Sequence, residues 1–223
     1  MAARPSTFTL KQVMAVTGVI FVGYVFVHMI GNLKVFSGPE AFNGYAQWLR
    51  EVGYPLIPHR GVLWALRVLL VVSVLAHVWA SLVLWARGRR ARGPHRRRRM
   101  PTLLATGART MLPGGVLILV FVGVHLLDLT IGRLVTPESF RSGDAYQNLV
   151  ASFSRPWMAI FYAAIMLVIA AHIVHGSRTL LQDLGATGQR LRMVWVVVGV
   201  LVALAILLGN ALIPVLVQMG VVT

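Results

Sequence analysis

Four histidines, His28, His77, His125 and His172, lie inside long apolar stretches of a chain that carries six acidic residues in 223. Only one of those acids, Asp128, shares the stretches. An imidazole in lipid is costly unless it is paired or ligated, so four at matched depths point to metal centres held between helices. The chain has no cysteine, which excludes disulfides and thiolate-ligated iron–sulphur clusters and leaves histidine to carry any redox metal. The expected group is haem.

The apolar stretches also set the class. A hydrophobic fraction of 57% and a mean hydropathy of +0.76 do not suit an ordinary soluble domain, and several runs exceed the roughly 20 residues that cross a bilayer. The reading is an all-α, single-domain integral membrane protein (1–223) with five transmembrane helices, at about 12–36, 61–86, 111–134, 157–181 and 193–217. The first run is too long for a cleavable signal peptide and lacks a small-residue cleavage site, so it is expected to stay as an anchor.

A net charge of +15 and the run RGRRARGPHRRRR from Arg87 to Arg99 would suggest nucleic acid in a soluble protein. Between two spans the same run is more simply a topology signal and a lipid-binding loop, since basic loops stay in the cytoplasm. Alternating the loops puts 14 of the 21 Lys and Arg on the N-terminal side and 7 on the other. The N-terminus is therefore expected in the cytoplasm and the C-terminus outside, with no nucleic-acid partner.

Depth pairs the histidines. At ~1.5 Å per helical residue, His28 and His125 lie about 21–24 Å from the inner ends of their spans, in the outer half. His77 and His172 lie about 22–24 Å from the outer ends of theirs, in the inner half. An internal repeat agrees. Gly18-Val19-Ile20 precedes His28 by ten positions, as Gly115-Val116-Leu117 precedes His125. The loops that follow share Pro39-Glu40-Ala41-Phe42 with Tyr45, and Pro137-Glu138-Ser139-Phe140 with Tyr146; Ala76-His77 then matches Ala171-His172. The chain reads as two copies of a helix–loop–helix hairpin, forming a four-helix haem-binding bundle, plus a fifth helix. A haem held by two imidazoles needs facing ligands at one depth, a condition met by His28 with His125 and by His77 with His172.

The segment HMIGNLKVFSGPEAFNGY from His28 to Tyr45, followed by Leu63-Trp64-x-x-Arg67 and Ala76-His77, resembles the single-chain cytochrome b anchor of succinate dehydrogenases. It looks most like the five-helix, two-haem type of Gram-positive bacteria and related fumarate reductases. The stretch from His172 through Gly176, Arg178 and Leu180 to Asp183 is similar to that around the proximal haem ligand. The resemblance spans nearly the whole chain. It implies a bacterial cell-membrane subunit that carries electrons from a flavoprotein with covalent FAD, through an iron–sulphur subunit and two b haems, to menaquinone, with room for a higher oligomer of the complex. It implies that His77 and His172 ligate the haem nearer the cytoplasm and His28 and His125 the outer one. The chain itself would be the non-catalytic anchor, having neither a dinucleotide fingerprint nor a soluble domain. In-span glutamates assist proton movement in some fumarate-reducing relatives, and this chain has none.

Further residues carry alternatives. His175, one turn from His172, is a second-choice ligand or a partner for a haem propionate. Arg178 suits the same propionate or snorkels to the interface, and Arg67 suits a propionate of the outer haem on the same terms. Asp128, at i+3 from His125, either exchanges protons with quinone or forms a salt bridge or solvated helix end. Asn210 and Pro214 interrupt the apolar run of the fifth span, as a proline kink accommodated by neighbouring helices. Trp48, Trp64, Trp85, Trp157 and Trp195 mark helix ends, and His59 and His95 belong to solvated loops. Rival readings are a quinol:fumarate reductase anchor and a haem-free transporter whose histidines relay protons.

Overall fold

A computed structural model describes residues 5–93, 102–185 and 188–223, with the side chains of 92 and 102–108 excepted. His95 and Arg96 to Arg99 lie outside the described residues. Seven α-helices appear among the described residues: α1 (Thr7–Asn32), α2 (Pro39–Glu51), α3 (Gly61–Arg92), α4 (Thr102–His125), α5 (Ala145–Phe153), α6 (Pro156–Asp183) and α7 (Gln189–Gln218). A 3₁₀ turn (Leu33–Ser37) follows α1 and a π-helical turn (Leu126–Ile131) follows α4.

Five helices are long and apolar enough to cross a membrane: Thr7–Ser37, Gly61–Ala91, Arg109–Ile131, Pro156–Asp183 and Gln189–Gln218. Each contains the greater part of one expected span. Backbone amides in hydrocarbon have only one another to bond, which is why such apolar runs become unbroken helices. The apolar side chains left open on α3, among them Val68, Val71, Val72 and Leu75, suit acyl chains rather than water.

α1 with α3 and α4 with α6 form the two hairpins, and α7 packs along α6 and against α1. α3 is held chiefly by α1 and α2 and makes little backbone contact with α6. The α6–α7 seam is close because Gly199 meets Ser177: a Cβ on Gly199 would overlap that side chain, the small-residue device by which membrane helices approach.

One expectation needs correction. The segments read as loops after each first helix hold short helices, α2 and α5. Pro39 occupies the first turn of α2 and Asp144 caps α5 by accepting from the Gln147 amide at 3.1 Å. Asn43 joins them, donating to Asp144 Oδ1 at 3.0 Å and accepting from the Tyr146 amide at 3.0 Å. The fifth span accommodates its proline as expected: α7 runs through Asn210 and Pro214. Pro214 leaves the Asn210 carbonyl without its helical donor. The Asn210 side chain accepts from Asn32 of α1 at 2.9 Å and donates to the Ile206 carbonyl at 3.0 Å, a polar tie within the apolar bundle.

At the opposite end Lys11 pairs with Asp183 at 2.8 Å, Gln12 donates to the Asp183 carbonyl, and Arg87 reaches the Pro5 carbonyl at 2.7 Å. The start of α1 and the ends of α3 and α6 thus share one face of the membrane.

Candidate functional site

His28 and His125 face one another from α1 and α4 with ring centres 5.9 Å apart and planes at 84°. Two imidazoles on one six-coordinate iron, each with a metal–nitrogen bond of about 2 Å, have ring centres roughly 6 Å apart. Tyr24 stacks on His28 at 5.5 Å, and Phe121 lies 5.7 Å from His125.

The hydrogen bonds around His125 fix its tautomer. Asp128 is fully buried; Arg155 Nη2 donates to its Oδ1 at 2.8 Å and Ser152 to its Oδ2 at 2.5 Å. The Tyr162 hydroxyl also lies 3.3 Å from Oδ2. An ionised carboxylate only accepts, so Tyr162 spends its one proton on Asp128. Its oxygen then accepts from His125 Nδ1 at 3.4 Å, which leaves the lone pair of His125 on Nε2.

His77 repeats the logic in the other half. The Thr17 hydroxyl donates to the Val13 carbonyl at 2.6 Å, so toward His77 Nδ1, 2.8 Å away, its oxygen accepts. The lone pair again belongs to Nε2. Across from it, His172 on α6 lies within electrostatic reach of His77 and of His175. The buried Nδ1 of His172 meets no hydrogen-bond partner among the described residues. A buried polar nitrogen left so is costly and marks a place where a bound group belongs.

His28 and His125 face one another directly, His77 and His172 are within electrostatic reach, and no group of three or more metal-ligating side chains gathers among the described residues. Two imidazoles are too few for a bare tetrahedral ion, yet they complete an iron whose other four ligands come from a macrocycle. The residues fit haem.

The remaining candidates each fall on one of the alternatives the sequence offered or stay open between them. Of the alternatives for Asp128, the geometry shows the ion pair. A π-turn begins just after His125, so the i+3 relation is not that of an α-helix, and the wider turn puts Asp128 wholly inside. Gly132 ends this turn with φ +71° and lies so close to the Phe140 ring that any Cβ would collide with it. Arg178 is exposed and lines a groove with α7. Six helical residues after His172 set its Cα about 120° around α6 from that of the imidazole, and of its two readings the exposure is that of an interfacial arginine. His175 is half-buried beside His172 and Arg178. Arg67 is exposed over the Trp64 ring at 5.0 Å and within electrostatic reach of Tyr24.

Sequence reasoning missed Thr17, Ser152, Arg155 and Tyr162. Thr17 lies eleven residues before His28 on the same helix, and a hydroxyl in an apolar run was the available signal.

Fold and site together define a polytopic helical membrane protein with paired intramembrane imidazoles. The family model for the succinate dehydrogenase/fumarate reductase transmembrane subunit matches residues 86–208, more than half of the chain, and the protein belongs to that family. The matched stretch contains His125, Asp128, Tyr162 and His172; His28 and His77 precede it. No curated protein and no solved structure matches the chain.

Proposed function

We propose that this membrane anchor is a di-haem cytochrome b of succinate:menaquinone oxidoreductase, linking an iron–sulphur subunit, itself served by an FAD-bearing flavoprotein, to menaquinone. The observation that carries the reading is the His28–His125 pair, with ring centres at 5.9 Å and the His125 Nε2 lone pair set free by Tyr162.

His28 and His125 would hold one haem and His77 and His172 the other. When bound, each haem supplies an iron that takes and gives up single electrons. The chain's own work is positional. Tyr162 and Thr17 hold the Nδ1–H of His125 and His77, which fixes ring rotation and raises the basicity of each ligating nitrogen. Asp128, neutralised by Arg155, keeps Tyr162 oriented. Apolar helix faces exclude water from both pairs. On the positive-inside rule the N-terminal face is cytoplasmic, and the His77–His172 pair lies nearer the iron–sulphur subunit.

Pyridine haemochrome stoichiometry per chain in the purified complex tests the reading, with two low-spin bis-imidazole species expected by EPR. One haem or none overturns the four-ligand assignment, and absence of a Soret band favours a proton-relaying transporter. Rates of succinate oxidation and of fumarate reduction with menaquinone and menaquinol in the same complex separate the oxidoreductase from a fumarate reductase anchor.

A further inference from the structure

The groove beside Arg178 belongs to neither imidazole pair. It holds about 310 Å³ and opens between the end of α6 and the start of α7, walled by Arg178 and Gln182 on one helix and Gln189 and Arg192 on the other. Arg192 Nε is buried and has no hydrogen-bond partner among the described residues. A buried guanidinium nitrogen left unpaired is costly, and a guanidinium is built to take two parallel bonds from a phosphate. Two cations and two amide side chains therefore line one open groove, with no carboxylate beside them in its wall.

The lower wall is of opposite character. Met193, Val196 and Val197 continue the groove along α7 toward the bilayer interior, and Met193 and Val197 are exposed on the outside of the bundle. A free phosphate has no use for that wall; an acyl chain does. A basic pocket between membrane helices with an apolar exit is the usual device for gripping an anionic lipid headgroup. The groove also lies at the membrane face where Lys11, Arg87 and Asp183 gather.

We propose that this groove is a binding site for one anionic phospholipid, its phosphate held by Arg178 and Arg192 and its chain running past Val196. Such a lipid would bridge α6 and α7 at the end of their seam. Polar and charged groups facing the phosphate are Arg178, Gln182, Gln189 and Arg192, with no carboxylate among the wall residues.

Native mass spectrometry of the full chain, released from nanodiscs of phosphatidylcholine containing phosphatidylglycerol, tests this. One phosphatidylglycerol is expected to remain bound at activation energies that strip phosphatidylcholine. Arg178→Gln with Arg192→Gln should lower its retention by roughly tenfold or more, since each interfacial cation is worth a several-fold preference for anionic lipid. Arg133→Gln, at the other membrane face, should leave it unchanged. Val196→Phe, which fills the groove and keeps both cations, should also expel the lipid, and serves where the double variant does not fold. Full retention in the arginine or the phenylalanine variant overturns the site, and displacement by millimolar inorganic phosphate overturns the lipid assignment in favour of a free anion.

Discussion

Tyr162 donates its hydroxyl to Oδ2 of Asp128 across 3.3 Å, although the two residues are 34 positions apart on different helical elements. This bond decides which way the rest of the chain of contacts runs, because it leaves the phenol oxygen free to accept from His125. Tyr162→Phe keeps the ring and removes the acceptor. A ligating imidazole without its Nδ1 partner is less basic and favours the reduced metal. A neutral hydrogen bond of ~1 kcal/mol corresponds to about 40 mV in a one-electron couple, so the outer haem's midpoint should rise by about that much. Spectropotentiometry should find the inner haem unmoved; equal shifts in both would contradict the assignment of Tyr162 to His125.

Thr17→Val is the counterpart in the other half. The side chain is nearly isosteric, and the lost oxygen is the one that holds His77 Nδ1 at 2.8 Å. Haem retention at the inner position should weaken by ~10–100-fold while the outer haem stays bound. Haem content after dialysis, resolved by low-temperature spectra, checks this.

The ligands themselves should sort by pair. His28→Ala or His125→Ala is expected to remove one haem, and His77→Ala or His172→Ala the other. His175→Ala should leave both. Loss of a haem in His175→Ala, with none in His172→Ala, would exchange their roles.

The helices and the approach of His28 to His125 were legible because both follow from one-dimensional patterns: long apolar runs, and rings at equal depth along them. Arg155 was not. Its partner Asp128 is 27 residues away, and whether they meet depends on a π-turn and on α5, whose start was hidden because Pro137 is nine residues before Tyr146 while Pro39 is six before Tyr45. The orientation of Arg178 stayed open between a propionate and the interface for a different reason: depth along a helix says nothing of rotation about it, and six residues carry a side chain to another face.

The Asp128–Arg155 ion pair should matter more to stability than any other single contact described. Asp128 is wholly buried and the Arg155 side chain is 24% exposed, so Asp128→Asn leaves a largely desolvated guanidinium without its counter-charge. Removing one partner of a buried pair costs about 3 kcal/mol or more, whereas replacing both with apolar groups is far milder. Asp128→Asn should thus lower the midpoint of urea unfolding in detergent markedly, and Asp128→Leu with Arg155→Met should recover much of the loss. The same single variant separates structure from quinone chemistry. If Asp128 serves only the fold and the Tyr162–His125 contact, any change in menaquinone reduction by detergent-stable Asp128→Asn complex is the same at every pH. A slowing of quinone reduction that varies with pH, with unaltered succinate oxidation by a soluble dye, would instead assign the carboxylate a part in proton exchange.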